Sequence, residues 1–330
     1  MISLNFPSLL TTIATLFLLM AVGFAAGKLG IVNGTASKNL SRLIITIAQP
    51  ALIIDSLVKM EFSPENLRLG LKTLLLGLVI HGFLAVIAFF AFTPFRNLDE
   101  RKLSEFSAVF GNVGFVGFPI LSSILGDRGL FMGAFFIISF HLTLWTWGIA
   151  ILARKRDDIK LTPKKIFLNY GTVPCLIGFV LFVLGGLLPT VFPTGVTNVL
   201  SAAAPSVLST LSYVASLCTP ISMLITGALL ASRSISQILG SGKIYYLCAV
   251  KLVLTPLLVC ALMKLIGFDP MWIQFAVVIV SMPSASTVTM LAELHDISPG
   301  YAAQAVGTTS LVSIATMPCV IWLAQKMIEL

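Results

Sequence analysis

Long apolar runs, separated by short polar or Gly/Pro-rich breaks, recur along all 330 residues of the chain. A run of about 20 apolar residues matches a helix that crosses a bilayer. The pattern predicts ten spans, at residues 8–27, 39–58, 70–93, 104–125, 130–153, 167–188, 205–231, 243–267, 272–292 and 301–325. A transmembrane barrel would instead show alternating segments of about 10 residues. The first run has no basic residue before it and its first lysine, Lys28, follows it, so it reads as a retained span rather than a signal peptide. The predicted fold class is an all-α polytopic membrane protein.

The polar positions divide the chain. The densest charge cluster, Arg154-Lys155-Arg156-Asp157-Asp158-Ile159-Lys160 with Lys164 and Lys165, falls between the fifth and sixth spans. It separates a first unit, 1–153, from a second, 167–330, through a basic linker at 154–166. Each unit holds an odd number of spans, so the second enters the membrane from the opposite face and the two form inverted repeats. Prolines match in order: Gln49-Pro50 in span 2 with Thr219-Pro220 in span 7, and Phe118-Pro119 in span 4 with Met282-Pro283 in span 9. Lys and Arg are also unevenly placed. Fourteen lie on the side of the central linker and six on the other, which puts the linker in the cytoplasm and both termini outside.

Composition agrees with this picture. The chain is 57% hydrophobic and 10% charged, against roughly 45–50% and about 25% for soluble domains. The net charge of +8 is accounted for by basic cytoplasmic loops and implies no nucleic-acid partner. Cys175, Cys218, Cys248, Cys260 and Cys319 stand singly in apolar segments, without the spacing of a metal site or a redox pair.

Two stretches break the helical pattern. Gly111-Asn112-Val113-Gly114-Phe115-Val116-Gly117-Phe118-Pro119 puts three glycines, an amide and a proline where span 4 would be continuous. Proline removes an N–H and clashes with the carbonyl four residues back, here Phe115, which predicts a break at Pro119. Span 9 reads Ser281-Met282-Pro283-Ser284-Ala285-Ser286-Thr287, with hydroxyls around a proline. Irregular backbone at membrane depth survives only where it is buried in protein or lines a cavity. Pro119 and Pro283 are each expected to begin a half-helix whose positive end faces the midplane, while the preceding half-helices expose carbonyls to a cation such as Na⁺. The expected site residues are Asn112, Gly114, Pro119, Ser281, Pro283, Ser284 and Ser286, with the glycines letting span 9 cross close to span 4. Lys251, inside span 8, can answer a carboxylate or carry a proton, and so can His81 in span 3. His81, Gln49 and Thr287 are the coupling or gating candidates.

At these residues the sequence resembles the auxin efflux carrier family, whose bacterial members are related to the plant PIN-FORMED exporters. The resemblance rests on Gly111 to Pro119, on Ser281 to Ser286 and on Gln49-Pro50, and it extends over essentially the whole chain. It implies the inverted-repeat fold also found in bile acid:sodium symporters. Spans 1, 2, 6 and 7 would form a scaffold that often dimerises, and spans 3–5 and 8–10 a moving body in which spans 4 and 9 cross. In plant members an asparagine of span 4 holds the substrate carboxylate, and Asn112 matches it by motif. The span 9 stretch departs from the plant pattern, which puts auxin itself in doubt. Bacterial relatives are associated with dicarboxylates such as malate or malonate, so the implied substrate is a small organic anion and the implied location a bacterial cell membrane.

The leading expectation is therefore a secondary transporter or uniporter for a mono- or dicarboxylate, working by elevator-type alternating access in a homodimer. The alternatives are a non-transporting membrane sensor and a Na⁺-coupled symporter of the bile-acid type. No P-loop, H-E-x-x-H, G-x-S-x-G or dinucleotide fingerprint is present, so an enzyme is not expected. Neither is a cofactor, apart from Na⁺ or H⁺ as a coupling ion.

Overall fold

The computed structural model describes residues 6–60, 62–156, 172–187, 205–231 and 242–329. The linker beyond Arg156, the first residues of the run at 167–188 and Arg233 lie outside the described residues. The described chain is helical, with one isolated β-bridge. In order it forms α1 (Phe6–Lys28), α2 (Gly34–Val58), α3 (Pro64–Ala91), α4 (Leu98–Val109) and α5 (Val113–Ala153). There follow α6 (Thr172–Leu187), α7 (Pro205–Ala231), α8 (Gly242–Ile266), α9 (Pro270–Val280), α10 (Thr287–Leu294) and α11 (Pro299–Glu329). Seven described helices are long and apolar enough to cross a membrane, and α6 and α9 are shorter apolar helices. The chain is an integral membrane protein.

Polar caps fix where the helices begin. Asn33 accepts from the N–H of Ala36 at α2, Ser63 from Asn66 at α3, and Asn97 from Asp99 and Glu100 at α4. These caps precede the apolar runs, so α2, α3 and α4 start earlier than hydropathy alone predicts. The long α5 is two helices, 113–125 and 127–153, joined at Gly126, whose φ of +60° and ψ of −147° are essentially confined to glycine.

Prolines inside the spans do not simply break them. Wide π turns at Ile44–Ala48, Val113–Gly117 and Ala249–Leu254 each end two residues before a proline: Pro50, Pro119 and Pro256. An α-helix with proline at those positions would lack a hydrogen bond and clash one turn back. The extra residue of a π turn relieves both faults and lets the helix continue.

Packing separates two groups of helices. In one, α1 lies against the second part of α7, and α2 against α6 and α7. The α1–α7 contact is made at backbone distance. A Cβ at Gly227 would fall 1.9 Å from the Met20 carbonyl oxygen, and one at Gly23 would fall 2.1 Å from that of Leu224. Small residues allow this approach where lipid gives helices no hydrophobic reason to associate. In the other group, α3 packs on α4 and α5, and α8 on α9 and α11. Here α4 is tied to its neighbours at its start. Glu105 accepts from Arg101 Nε at 2.8 Å and from Arg154 at the end of α5, Glu100 pairs with Lys243 of α8, and Ser104 bonds Tyr301 of α11 at 2.8 Å. Phe106, Phe110, Phe131, Phe135, Phe136 and Phe275 fill the interior between these helices.

Candidate functional site at the crossing of two broken helices

The two irregular stretches meet. The Asn112 N–H donates to the Pro283 carbonyl at 2.8 Å, and the Ala285 N–H donates to the Phe110 carbonyl at 3.0 Å. Gly111 and Ser284 face each other between these bonds as an antiparallel bridge. The segments thus satisfy each other's backbone, as irregular structure in a membrane requires. At Asn112, φ of −79° and ψ of 57° with a Val113 N–H to Gly111 carbonyl bond of 2.9 Å make an inverse γ-turn, which redirects the chain into α5.

This geometry corrects the expected break positions. Span 4 breaks at residues 110–112, before the motif's glycine-rich turn, and Pro119 lies beyond the π turn in continuous helix. Pro283 sits inside the span 9 break, and the following half-helix α10 starts only at Thr287. The two prolines occupy different local positions, Pro119 in continuous helix and Pro283 inside a break. The paired bonds relate Phe110 to Pro283, Gly111 to Ser284 and Asn112 to Ala285, a local two-fold arrangement with a separation of 173 positions. Proline was legible from the sequence, but the residues that carry the break are those whose backbone groups find partners across it.

The expected site residues divide by what their side chains already do. Asn112 is 6% exposed, and its amide makes no hydrogen bond among the described residues. Ser286 is partly exposed at the end of the break, and the Thr287 hydroxyl is buried without a partner among the described residues. Ser281 and Ser284 are committed elsewhere. The Ser281 hydroxyl donates to its own helix at the Val278 carbonyl, 2.9 Å, and the Ser284 hydroxyl donates to the Ser107 carbonyl of α4, 3.1 Å. Ser284 is therefore a clamp across the crossing. Of the three motif glycines, only Gly111 approaches span 9, with a built Cβ 3.2 Å from Met282. Gly114 instead makes room for Gln49 of α2, whose Nε2 would lie 3.0 Å from its Cβ, and Gly117 faces Val113 in its own turn. The expectation that all three serve the crossing is corrected on that ground. Phe115 packs with Ile44 and Ala48 of α2 and with Cys218 and Ile225 of α7, so the motif turn bridges the two helix groups.

Lys251 and His81 line one small cavity of about 10 Å³ together with Gly111, Val113, Ile279 and Val280. Lys251 is 1% exposed and donates from Nζ to the Ala108 carbonyl at 3.0 Å. His81 is buried, bonds the Gly77 carbonyl through Nδ1 at 2.7 Å and stacks on Phe136. Snorkelling to an interface, the ordinary reading of an intramembrane lysine, does not apply to Lys251. Three successive carbonyls at the end of α4 are thus in use: Phe106 accepts from the Phe110 N–H, Ser107 from Ser284, and Ala108 from Lys251. At the end of α9, the carbonyls of Val277 and Val278 accept from the Ser281 N–H and hydroxyl. These are among the carbonyls expected to hold Na⁺, and each of them already accepts a hydrogen bond. Among the described residues no group of His, Cys, Asp or Glu is arranged to hold a metal ion.

One participant was missed. Thr309 of α11, fully buried, accepts from the Ser284 N–H at 3.1 Å and secures the crossing from a third helix. A lone intramembrane threonine ordinarily bonds its own helix, as Thr309 also does. The legible signal was the consecutive run Thr308-Thr309-Ser310 within an apolar span.

Two broken helices that cross and bond at membrane depth, beside a buried amide and a buried lysine, define a class: polytopic membrane proteins with a site built from discontinuous helices. A family model described as membrane transport protein matches residues 8–321, and the chain belongs to that family, the auxin efflux carrier family. Relatives span nearly its full length. An uncharacterized transporter of Methanothermobacter thermautotrophicus is 23% identical over 312 residues, covering 93% of this chain and 95% of the relative. A Rhizobium meliloti protein named "Putative malonate transporter" is 25% identical over 312 residues, 94% of each chain. An uncharacterized transporter of Methanocaldococcus jannaschii is 24% identical over 310 residues, 93% of this chain and 96% of the relative.

Proposed function

We propose that this protein carries a small organic anion, a mono- or dicarboxylate, across a bacterial cell membrane by alternating access. The observation that carries the reading is the crossing of the two broken helices, with the Asn112 amide, which has no partner among the described residues, at its centre. A helix N-terminus offers unpaired N–H groups and the positive end of a dipole. Helix α5 and helix α10 both begin at this crossing, so a carboxylate bound there would meet two such ends and the Asn112 amide. The Ser286 and Thr287 hydroxyls lie beside the second end. Malonate is the first substrate to try, because one relative is named for it.

In this reading ten spans form two inverted repeats, 1–153 and 167–330, joined by the cytoplasmic linker at 154–166, with both termini outside. The α1, α2, α6 and α7 group is a static, dimerising scaffold, and α3–α5 with α8–α11 is the body that slides past it. Gln49 and Phe115 lie on the boundary between the two, where sliding would require their contacts to be exchanged.

The test is a thermal-shift screen of the purified protein with mono- and dicarboxylates. A ligand stabilises by RT ln(1 + [L]/Kd), so at 100-fold excess over Kd the gain is about 2.7 kcal/mol. The reading requires at least one carboxylate to raise the melting temperature in wild type and to lose that effect in Asn112→Ala. A full panel without a shift removes the organic anion from the proposal.

A further inference from the structure

A groove of about 330 Å³ opens on the side of the protein between the end of α3 and the end of α5. That volume falls within the range of about 300–1,000 Å³ that holds small ligands. Val86, Phe89 and Phe90 of α3 and Trp147, Ala150 and Ile151 of α5 line its length, and Glu105 with Arg154 close one end. Along α3 the groove continues an exposed apolar stripe at helical spacing, made by Leu71, Leu75, Val79, Val86 and Phe90. A Cβ built on Gly82, within that stripe, meets nothing within 4 Å. Such a stripe on a membrane-spanning helix faces acyl chains. The polar end lies where α3 and α5 leave the membrane, and exposed aromatic side chains gather there: Phe90, Trp147, and Tyr245 and Tyr246 of α8. Tyr246 donates its hydroxyl to the Ala91 carbonyl at 3.2 Å, which sets the start of α8 level with the end of α3. Aromatic residues concentrate at the depth of lipid headgroups.

The closed end of the groove is basic. Glu105 is 3% exposed, whereas the side chains of Arg101 and Arg154 that share it are 20% and 31% exposed. The carboxylate is covered and the guanidiniums face outward. Arginine stays protonated, so two guanidiniums and one carboxylate keep a net positive charge in either state of Glu105. Arg154 gives its Nε to the Ile151 carbonyl at 3.2 Å and one N–H from each terminal nitrogen to Glu105. Two of its five donors are left without a partner among the described residues. Arg101 lies over the Phe89 ring at 5.2 Å, which holds its charge at the lip of the groove. We propose that this groove binds an anionic phospholipid, with an acyl chain along Phe90, Trp147 and Ile151 and the phosphodiester on Arg154 and Arg101. A guanidinium fork matches phosphate oxygens, and basic pockets between membrane helices at headgroup depth select anionic lipids. A zwitterionic lipid would bring its own ammonium to a site that is already positive. In the orientation proposed above the lipid comes from the cytoplasmic leaflet, but the site depends neither on that orientation nor on the carboxylate substrate.

The experiment follows thermal unfolding of the purified full chain in a neutral detergent. Phosphatidylglycerol or phosphatidylcholine with the same acyl chains is titrated in, and glycerol phosphate serves as a headgroup without chains. Wild type is expected to gain ~2–4 °C with phosphatidylglycerol, saturably, clearly less with phosphatidylcholine and nothing with glycerol phosphate. Ala150→Phe fills the groove from an exposed position, leaves the ion pairs in place, and is expected to lose the gain. Ala150→Leu, a smaller change, serves with the same expectation if the phenylalanine variant does not fold. Arg154→Gln is expected to lose the preference for phosphatidylglycerol, and Arg154→Lys to keep part of it. Lys38→Gln removes an exposed basic residue at the start of α2, at the same end of the helices, and is expected to keep the full gain. No gain in wild type, or an equal gain from both lipids, overturns the proposal. So does a gain from glycerol phosphate alone, which would leave only an ion site, or a folded Ala150 variant that keeps the lipid gain. A Lys38→Gln that loses as much as Arg154→Gln assigns the effect to diffuse charge and overturns it as well. No carboxylate substrate is present, so failure here leaves the proposed substrate class standing, and failure of the carboxylate screen leaves this result interpretable.

Discussion

Substituting Asn112 by alanine separates the backbone role of this residue from its side-chain role. The backbone holds the crossing through the 2.8 Å bond from its N–H to the Pro283 carbonyl, and alanine keeps that N–H. Its φ of −79° and ψ of 57° impose no left-handed strain, so alanine accepts them as well. The side-chain amide has no partner among the described residues, so its loss orphans no group there. Stability without ligand should accordingly change by less than about 0.5 kcal/mol. Binding should change much more. A hydrogen bond to a charged group is worth about 1.5–3 kcal/mol, which converts to a roughly 10- to 150-fold rise in Kd. Isothermal titration with the carboxylate found in the thermal screen measures the affinity, and thermal unfolding of the ligand-free protein measures the stability. A variant that binds as tightly as wild type removes Asn112 from the site. A variant that unfolds markedly earlier without ligand shows that the amide holds the fold.

Further variants test the supports of the site. Ser284→Ala deprives the Ser107 carbonyl of its buried donor and should destabilise by about 1 kcal/mol, read from thermal unfolding. Adding Thr309→Val should cost less than the sum of the two single changes, because both act on one network. Gly227→Ala drives a Cβ to 1.9 Å from the Met20 carbonyl oxygen, so α1 and α7 must part, with a loss of about 1–3 kcal/mol. Gly34→Ala, which meets nothing within 4 Å, should leave the melting temperature unchanged in the same assay. Glu105→Gln breaks the carboxylate that Arg101 and Arg154 share and should lower stability by about 1–3 kcal/mol, with a smaller effect if Arg154→Gln is already present.

What was legible in the sequence followed from physics that acts locally. Apolar length located the seven described helices that are long enough to cross a membrane, because the bilayer sets one thickness for every helix. Gly111-Asn112 and Ser281–Ser286 stood out because irregular backbone at membrane depth needs a reason, and both do carry the crossing. The exact break was not legible, since proline reports a missing N–H but not how the chain compensates. A π turn absorbed Pro119, whereas the break fell at Phe110–Asn112, where a glycine and an amide mark the place but not the geometry. The roles of the hydroxyls were hidden for a similar reason. Ser281 and Ser284 lie three positions apart in one stretch, yet one bonds its own helix and the other a helix 177 positions away. Only the fold distinguishes them. Lys251 was conspicuous as a buried charge, but its partner is a backbone carbonyl, which no side-chain pattern announces.

The most direct measurement is counterflow in proteoliposomes loaded with unlabelled malonate and diluted into a trace of labelled malonate. A carrier that exposes the crossing alternately to each side accumulates label transiently, and the account predicts such an overshoot for wild type and a strongly reduced one for Asn112→Ala. Absence of an overshoot for malonate and for every carboxylate that binds the protein would contradict alternating access and leave a ligand-binding membrane protein that does not transport.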